Sequence, residues 1–155
     1  MDALQDASVL VTGGTGFIGS RLVPRLQAAG ARVSVLTRDA ARARRRLGDA
    51  VRFIERPEQA ATVAPRLLVN LAGEGIADRP WTEARRRMLL DSRVALTAAL
   101  SEALASAPPE VVVSASAVGF YGTSETANFT ESDPVGEGFA AELCRRWEEA
   151  ALRFE

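Results

Sequence analysis

One stretch near the start of the chain restricts the fold more than any other. Residues 9–19 read Val-Leu-Val-Thr-Gly-Gly-Thr-Gly-Phe-Ile-Gly, an apolar run that breaks into glycines and continues as a helix pattern. A β-strand followed by a tight turn and a helix N-terminus is a common arrangement for binding a phosphate. The alternative is that these glycines only shape a strand-to-helix turn. The predicted nucleotide-binding residues in this stretch are Gly13, Gly14, Thr15, Gly16, Phe17, Ile18 and Gly19.

The glycines fit two registers at once, Gly13-x-x-Gly16-x-x-Gly19 and Gly14-x-Gly16-x-x-Gly19. We expect Gly13 and Gly14 to form the turn, because glycine tolerates a positive φ. Gly16 has no Cβ to keep the backbone away from a pyrophosphate, and Gly19 allows the helix to pack closely on the strand.

The rest of the chain alternates strand patterns with helix patterns. Apolar runs predict buried parallel strands at residues 9–12, 33–36, 51–54, 67–71 and 111–114. Helices are predicted at 17–29, 40–47, from 82 to the prolines at 108–109, and from 139 onward. In the third helix, Arg85, Arg86 and Arg87 are expected to face solvent. The prediction is a doubly wound α/β sheet, a Rossmann fold of order 3-2-1-4-5 with helices on both faces.

The end of the second predicted strand indicates which nucleotide is preferred. In this fold an acidic residue at that position hydrogen-bonds the ribose 2′-hydroxyl of NAD. Here Thr37 takes the position and Arg38 follows. An arginine can bind a 2′-phosphate with two charge-assisted hydrogen bonds, so NADP is predicted, with NAD less favoured. The alternative is that Arg38 is simply a solvated surface residue.

Two further segments are candidate parts of the site. Asn70, Leu71, Ala72 and Gly73 close the fourth predicted strand, where small residues let the backbone pass beside a cofactor. Residues 115–122 follow the fifth predicted strand, and ligands collect at the carboxyl ends of such strands.

Composition excludes several kinds of chemistry. The chain has no histidine, and all nineteen basic residues are arginine, so neither a histidine nor a lysine can act as a base. Cys144 is the single cysteine, which excludes an internal disulfide and a thiolate metal cluster, so no metal site is predicted. The net charge of −1 gives no reason to expect nucleic acid or an acidic membrane as a partner. With no apolar span of membrane length and no signal peptide pattern, we expect a cytoplasmic protein.

The motifs together resemble the nucleotide-binding half of an extended short-chain dehydrogenase/reductase. The resemblance is to atypical members of the NAD-dependent epimerase/dehydratase-like family, close to bacterial epimerase-family oxidoreductases. The segments that carry it are residues 12–19, 70–74, 79–82 and 91–93, Ser116 with Tyr121-Gly122, and Leu143-Cys144-x-x-Trp147-Glu148. It implies an NADP-linked fold and an oxidoreductase or epimerase acting on a small molecule.

The resemblance also implies a catalytic set, which this sequence only partly retains. Such enzymes use a serine or threonine, a tyrosine acting as acid and base, and a lysine four residues later that lowers the pKa of the tyrosine. Ser116 falls on the serine position, whereas Phe139 and Leu143 fall on the tyrosine and lysine positions. Tyr121 is the only tyrosine, so Ser116 and Tyr121 are the candidate catalytic residues.

The sequence leaves the function open between two classes. The first is the NADP-binding domain of an atypical reductase or epimerase-like protein, and the second is a non-catalytic nucleotide-sensing or interaction module, as in division-linked relatives. An S-adenosylmethionine-binding domain is less favoured. Residues 1–155 are predicted to be one apparently truncated domain without the C-terminal substrate segment, and a homodimer is an expectation from the superfamily.

Overall fold

The computed structural model describes residues 4–154 and contains one five-stranded sheet. The strands are β1 (Ser8–Thr12), β2 (Arg32–Leu36), β3 (Arg52–Ile54), β4 (Leu67–Asn70) and β5 (Val111–Ser114). All are parallel, in the order β3-β2-β1-β4-β5. The predicted α/β fold and its strand order are confirmed.

Helices lie between most of the consecutive strands and after the last one. They are α1 (Gly19–Ala28), α2 (Ala40–Leu47), α3 (Glu83–Leu90), α4 (Leu96–Leu104) and α5 (Phe139–Ala151). A π-helical segment, Asp91–Ala95, joins α3 to α4, and short 3-10 turns cover Pro57–Thr62, Val118–Tyr121 and Leu152–Phe154. Within residues 4–154, no helix has the length and apolar character needed to cross a membrane.

The sheet has an apolar core on each face because successive side chains of a strand point in opposite directions. Val9 and Val11 of β1 belong to one core, which also contains Val23 of α1, while Leu10 belongs to the other core with Leu100 of α4. All five side chains are completely buried. The near-continuous apolar run of the central strand β1 therefore reflects a strand that is covered on both faces.

The helix boundaries and one helix face differ from the predictions. The first helix begins at Gly19 rather than Phe17, because Phe17 and Ile18 still belong to the turn that precedes it. Thr82 caps α3 through its hydroxyl, and Asp39 caps α2 through its carboxylate. The prediction that Arg85 faces solvent was wrong: the residue is only 7% exposed, because its guanidinium turns inward to a loop described below.

The fifth strand is an edge of the sheet. Val111 and Val113 share one face of β5 and are 52% and 51% exposed, whereas the central strand β1 is almost entirely buried. A half-exposed apolar edge of this kind is prone to association with another chain.

Candidate functional site

The turn after β1 is held in place by contacts that only glycine permits. Gly13 has φ +67°, and a Cβ on it would lie 2.6 Å from the carbonyl oxygen of Leu71. A Cβ on Gly19 would lie 2.3 Å from the carbonyl oxygen of Gly13. The turn is therefore packed tightly against both the end of β4 and the first residue of α1.

The same turn presents unused hydrogen-bond donors. Within residues 4–154, the backbone N–H groups of Thr15, Phe17 and Ile18 donate to no protein acceptor, whereas that of Gly16 donates to Gly13 at 2.9 Å. A Cβ on Gly16 would meet only the Gly13 carbonyl oxygen within 4 Å, so the space above it is open. Free amides at the N-terminus of a ten-residue helix, beside an open backbone, form a favourable site for a phosphate.

A buried polar network fixes the end of β4 beside this turn. The Thr12 hydroxyl donates to Asn70 Oδ1 at 2.7 Å and accepts from the backbone amides of Leu71 and Ala72 at 3.1 and 3.0 Å. Asn70 Nδ2 in turn donates to Thr97 Oγ1 at 2.8 Å. The network joins β1, β4 and α4, and it orients residues 71–72 toward the turn.

Arg38 lies at the opposite wall of the cleft and contacts an acid there. Its Nη1 donates to Glu74 Oε1 at 2.7 Å, while 90% of the Arg38 side chain is exposed. The Thr37 hydroxyl accepts from the backbone N–H of Asp39 at 3.3 Å, which fixes the chain at the end of β2. The sequence did not predict the Arg38–Glu74 pair, since 36 residues separate the two.

The loop that carries Glu74 is clamped by the long helical run. Arg85 is directed at the Glu74 carboxylate at 3.4 Å and also donates to the Gly75 carbonyl. Arg93 donates to the Glu74 carbonyl at 2.9 Å, and the Ser92 hydroxyl accepts from the Glu74 amide at 3.1 Å. Ser92 and Arg93 lie in the π-helical segment, a distortion that is frequent at functional sites.

Electrostatics keep the Glu74 carboxylate ionised. The hydrogen bond from Arg38 lowers the pKa of Glu74, partial burial opposes that effect, and the charges of Arg38 and Arg85 lower it further. The cleft is therefore bordered by a fixed anionic carboxylate that is shared between two arginines.

These elements enclose a cleft of about 560 Å³, a size usual for small-molecule sites. Among the predicted cofactor residues, those that line it are Gly13, Thr15, Gly16, Thr37, Arg38, Leu71, Ala72 and Gly73. Further lining residues that were not predicted are Leu36, Glu55, Pro57, Glu74, Met88, Asp91, Ser92 and Leu96. The predicted residues Gly14, Phe17, Ile18, Gly19 and Asn70 support or border the cleft rather than line it.

The five predicted residues that do not line the cleft have structural roles or positions that explain this. A Cβ on Gly14 would face Val35 at 2.9 Å, and Gly19 packs under Gly13. Asn70 is 1% exposed, with its amide engaged in the Thr12 network. Phe17 and Ile18 are exposed beside the turn, and neither lines the cleft.

The predicted catalytic pair lies after β5, each member with a partner of its own. The Ser116 hydroxyl hydrogen-bonds to Glu148 of α5. The Tyr121 ring stacks on Phe129 with ring centroids 5.3 Å apart. The structure thus places both residues on one loop, with Ser116 connected to α5 through a carboxylate that the sequence had not indicated.

A family model supplies the decisive comparison. The model of the NAD dependent epimerase/dehydratase family matches residues 9–142, most of the chain. The chain belongs to this family. The predicted membership among short-chain dehydrogenase/reductase-like proteins is confirmed.

Individual relatives agree with this assignment. The chloroplastic epimerase family protein SDR39U1 homologue of Arabidopsis thaliana is 39% identical over 155 residues, covering 94% of this chain and 44% of that protein. The crystal structure of human epimerase family protein SDR39U1 with NADPH has a TM-score of 0.75 at 34% identity and covers 92% of this chain and 48% of that one. A structure of MoeE5 with UDP-glucose and NAD has a TM-score of 0.75 at 28% identity and covers 95% of this chain and 48% of that one. The chain spans about half the length of the curated relatives it matches.

The resemblance predicts the tyrosine and lysine positions of such enzymes at Phe139 and Leu143, which both lie in α5. Phe139 packs edge-on against Trp81, with ring centroids 5.3 Å apart, and Arg86 lies over its ring. Leu143 is 1% exposed. Neither side chain can transfer a proton. Cys144 is buried, and that burial raises the pKa of its thiol, so it is not a reactive thiolate.

Proposed function

We propose that this chain is the NADP(H)-binding domain of an atypical reductase or epimerase-like protein of the epimerase/dehydratase family. The observation that carries the proposal is one cleft with free backbone amides at the glycine turn and Arg38 at its other wall. A dinucleotide requires a phosphate site and an adenosine-ribose site along one crevice. Human SDR39U1, crystallised with NADPH, supports the choice of cofactor.

Each part of the cleft has an assigned role. The amides of Thr15, Phe17 and Ile18 would bind the pyrophosphate, and Arg38, beside Thr37, would bind the 2′-phosphate. Leu71 to Gly73 would form the apolar side of the crevice, held by the Thr12–Asn70 network. The nicotinamide, when bound, supplies a hydride.

We assign Ser116 and Tyr121 to substrate orientation. The Tyr121 hydroxyl can donate a hydrogen bond to a carbonyl oxygen, and the Ser116 hydroxyl can donate one in place of its bond to Glu148. We assign Phe139 and Leu143 to the tyrosine and lysine positions, so the proposed site has no tyrosine-lysine pair for proton transfer. We therefore expect cofactor binding without measurable carbonyl reduction or epimerisation by the tyrosine-lysine route.

A ligand screen tests the proposal before any chemistry is attempted. The purified chain is titrated calorimetrically with NADPH, NADH and S-adenosylmethionine. We expect binding in the order NADPH, then NADH, with no S-adenosylmethionine binding. Preferred binding of S-adenosylmethionine, or binding of none of the three, contradicts the proposal.

The second candidate is a non-catalytic nucleotide-sensing or interaction module. The apolar pair Phe139 and Leu143 favours it, because a sensor needs no proton donor. NADPH oxidation measured with a panel of carbonyl compounds separates the two candidates. Turnover that survives both Ser116→Ala and Tyr121→Phe refutes our assignment of these residues, since other groups must then orient the substrate.

The remaining parts of the proposal concern the surroundings of the protein. We propose a cytoplasmic location, a small-molecule substrate of unidentified structure, and neither nucleic acid nor membrane as a partner. We also propose that residues 1–155 form one nucleotide-binding domain and that the protein associates as a homodimer.

A further inference from the structure

The structure brings Arg38 against an acid from a different part of the chain. Arg38 is the residue proposed to recognise the 2′-phosphate, and Glu74 is its one acidic partner among residues 4–154. The pair spans from the end of β2 to the loop after β4, with a separation of 2.7 Å. An arginine proposed for phosphate binding is thus already neutralised by a carboxylate.

The two members of the pair differ in how firmly they are held. Glu74 is anchored through its amide by Ser92, through its carbonyl by Arg93 and through its carboxylate by Arg85. The Arg38 side chain is 90% exposed, and Glu74 is the only group to which it is hydrogen-bonded within the described residues. Arg38 is therefore the member that moves, while Glu74 stays in position.

We propose that Glu74 is a specificity-determining residue whose carboxylate competes with the 2′-phosphate of NADP for Arg38. This inference rests on the proposed function. A phosphate must draw Arg38 out of the ion pair, whereas a nucleotide with a free 2′-hydroxyl leaves the pair intact. Glu74 thus lowers the affinity for 2′-phosphorylated nucleotides. The preference for NADP over NAD is therefore smaller than Arg38 alone would give.

Glu55, another acid that lines the cleft, is engaged elsewhere. Glu55 accepts a hydrogen bond from the backbone amide of Ala40 at the start of α2, so it does not restrain Arg38. Competition for Arg38 therefore falls to Glu74.

The test uses Glu74→Gln, which keeps the shape of the side chain and removes its charge. The probes are 2′,5′-ADP and 5′-AMP, which differ only in the 2′-phosphate, titrated calorimetrically at low salt. An exposed ion pair is a weak competitor, so we expect affinity for 2′,5′-ADP to rise roughly two- to fivefold. We expect affinity for 5′-AMP to change less than twofold, and the gain to shrink as salt screens the pair.

A matched control removes the same charge from another arginine pair. Asp49 contacts Arg44 at 3.0 Å on the exposed surface, outside the residues that line the cleft. Asp49→Asn should leave the ratio of the two affinities unchanged. An equal rise in this control would attribute the effect to the net charge of the protein and overturn the inference.

A double-mutant cycle tests whether the effect passes through Arg38. In an Arg38→Ala background, Glu74→Gln should give no gain in 2′,5′-ADP affinity. A gain that persists there would mean that Glu74 repels the phosphate directly, which contradicts competition. A fall in 5′-AMP affinity would show instead that Glu74 binds the ribose, and would also overturn the inference.

A second variant keeps the inference testable if Glu74→Gln does not fold. Glu74→Asp keeps the negative charge near Arg85 but shortens the side chain, so that it withdraws from Arg38. It should also raise 2′,5′-ADP affinity, by less than Glu74→Gln. If neither folded variant shows a rise, the inference is overturned. Wild-type protein that binds neither probe overturns the proposed function itself, whereas wild-type binding that is unaffected by the variants overturns only the role of Glu74.

Discussion

The hydroxyl of Thr12 supports both the fold and the cleft, and Thr12→Val removes it at nearly constant volume. Thr12 is the sole donor to Asn70 Oδ1 among residues 4–154, and both residues are at most 1% exposed. The Ala72 amide also loses its acceptor, whereas the Leu71 amide keeps the Thr12 carbonyl at 3.3 Å. The substitution therefore leaves one fully buried acceptor and one half-buried donor without partners.

The expected cost follows from these two groups. A buried polar atom without a partner costs about 1–3 kcal/mol, and the lost hydrogen bond of the accessible Ala72 amide costs about 1 kcal/mol. We expect Thr12→Val to lower the free energy of unfolding by about 2–4 kcal/mol, a large share of the roughly 5–15 kcal/mol that stabilises a domain. In urea, with an m-value of about 2 kcal/mol per molar, the midpoint should fall by about 1–2 M.

Thr12→Ser is the matched control for this experiment. It keeps the hydroxyl and loses one buried methyl group, so it should cost only about 1 kcal/mol. Urea unfolding followed by circular dichroism measures all three proteins. If Thr12→Val lies within about 0.5 kcal/mol of the wild type, or is more stable than Thr12→Ser, the network does not hold β1 to β4 as we describe.

Three further predictions follow from the cleft and the sheet edge, beginning with Arg38→Ala. It should weaken NADPH binding roughly ten- to a hundredfold and NADH binding little, because a charged hydrogen-bond pair is worth about 1.5–3 kcal/mol; equal calorimetric losses for both would contradict phosphate recognition. Because the pKa of Glu74 is lowered in the folded state, its ion pairs stabilise the protein above the ordinary glutamate pKa and are lost as the pH falls through the lowered value. The stability gap between wild type and Glu74→Gln in urea should therefore shrink from about pH 7 to about pH 3, and a constant gap would refute this. Val113→Thr should reduce self-association at β5, measured by light scattering. The same scattering from the wild type and the variant would argue against the strand as the association surface.

Much of the fold was determined by the sequence because local patterns carry it. Two buried faces require near-continuous apolar strands, so the runs at residues 9–12 and 67–70 identified the parallel sheet. The glycine spacing located the turn, since only glycine fits the backbone geometry of Gly13 and the close approach at Gly19. The caps of α3 and α2 are equally local, since Thr82 and Asp39 each accept from a backbone amide three residues later. These features depend on neighbours within a few residues.

The tertiary structure decided the features that join distant segments. Arg85 looks like one of three consecutive surface arginines, but it is buried because the loop at Glu74 and Gly75 folds back onto α3. The pairing of Arg38 with Glu74 and the contact of Ser116 with Glu148 span 36 and 32 residues. The hydrophobic pattern of the sequence cannot predict such contacts. They depend on where the sheet order places the ends of β2, β4 and β5 beside the long helices.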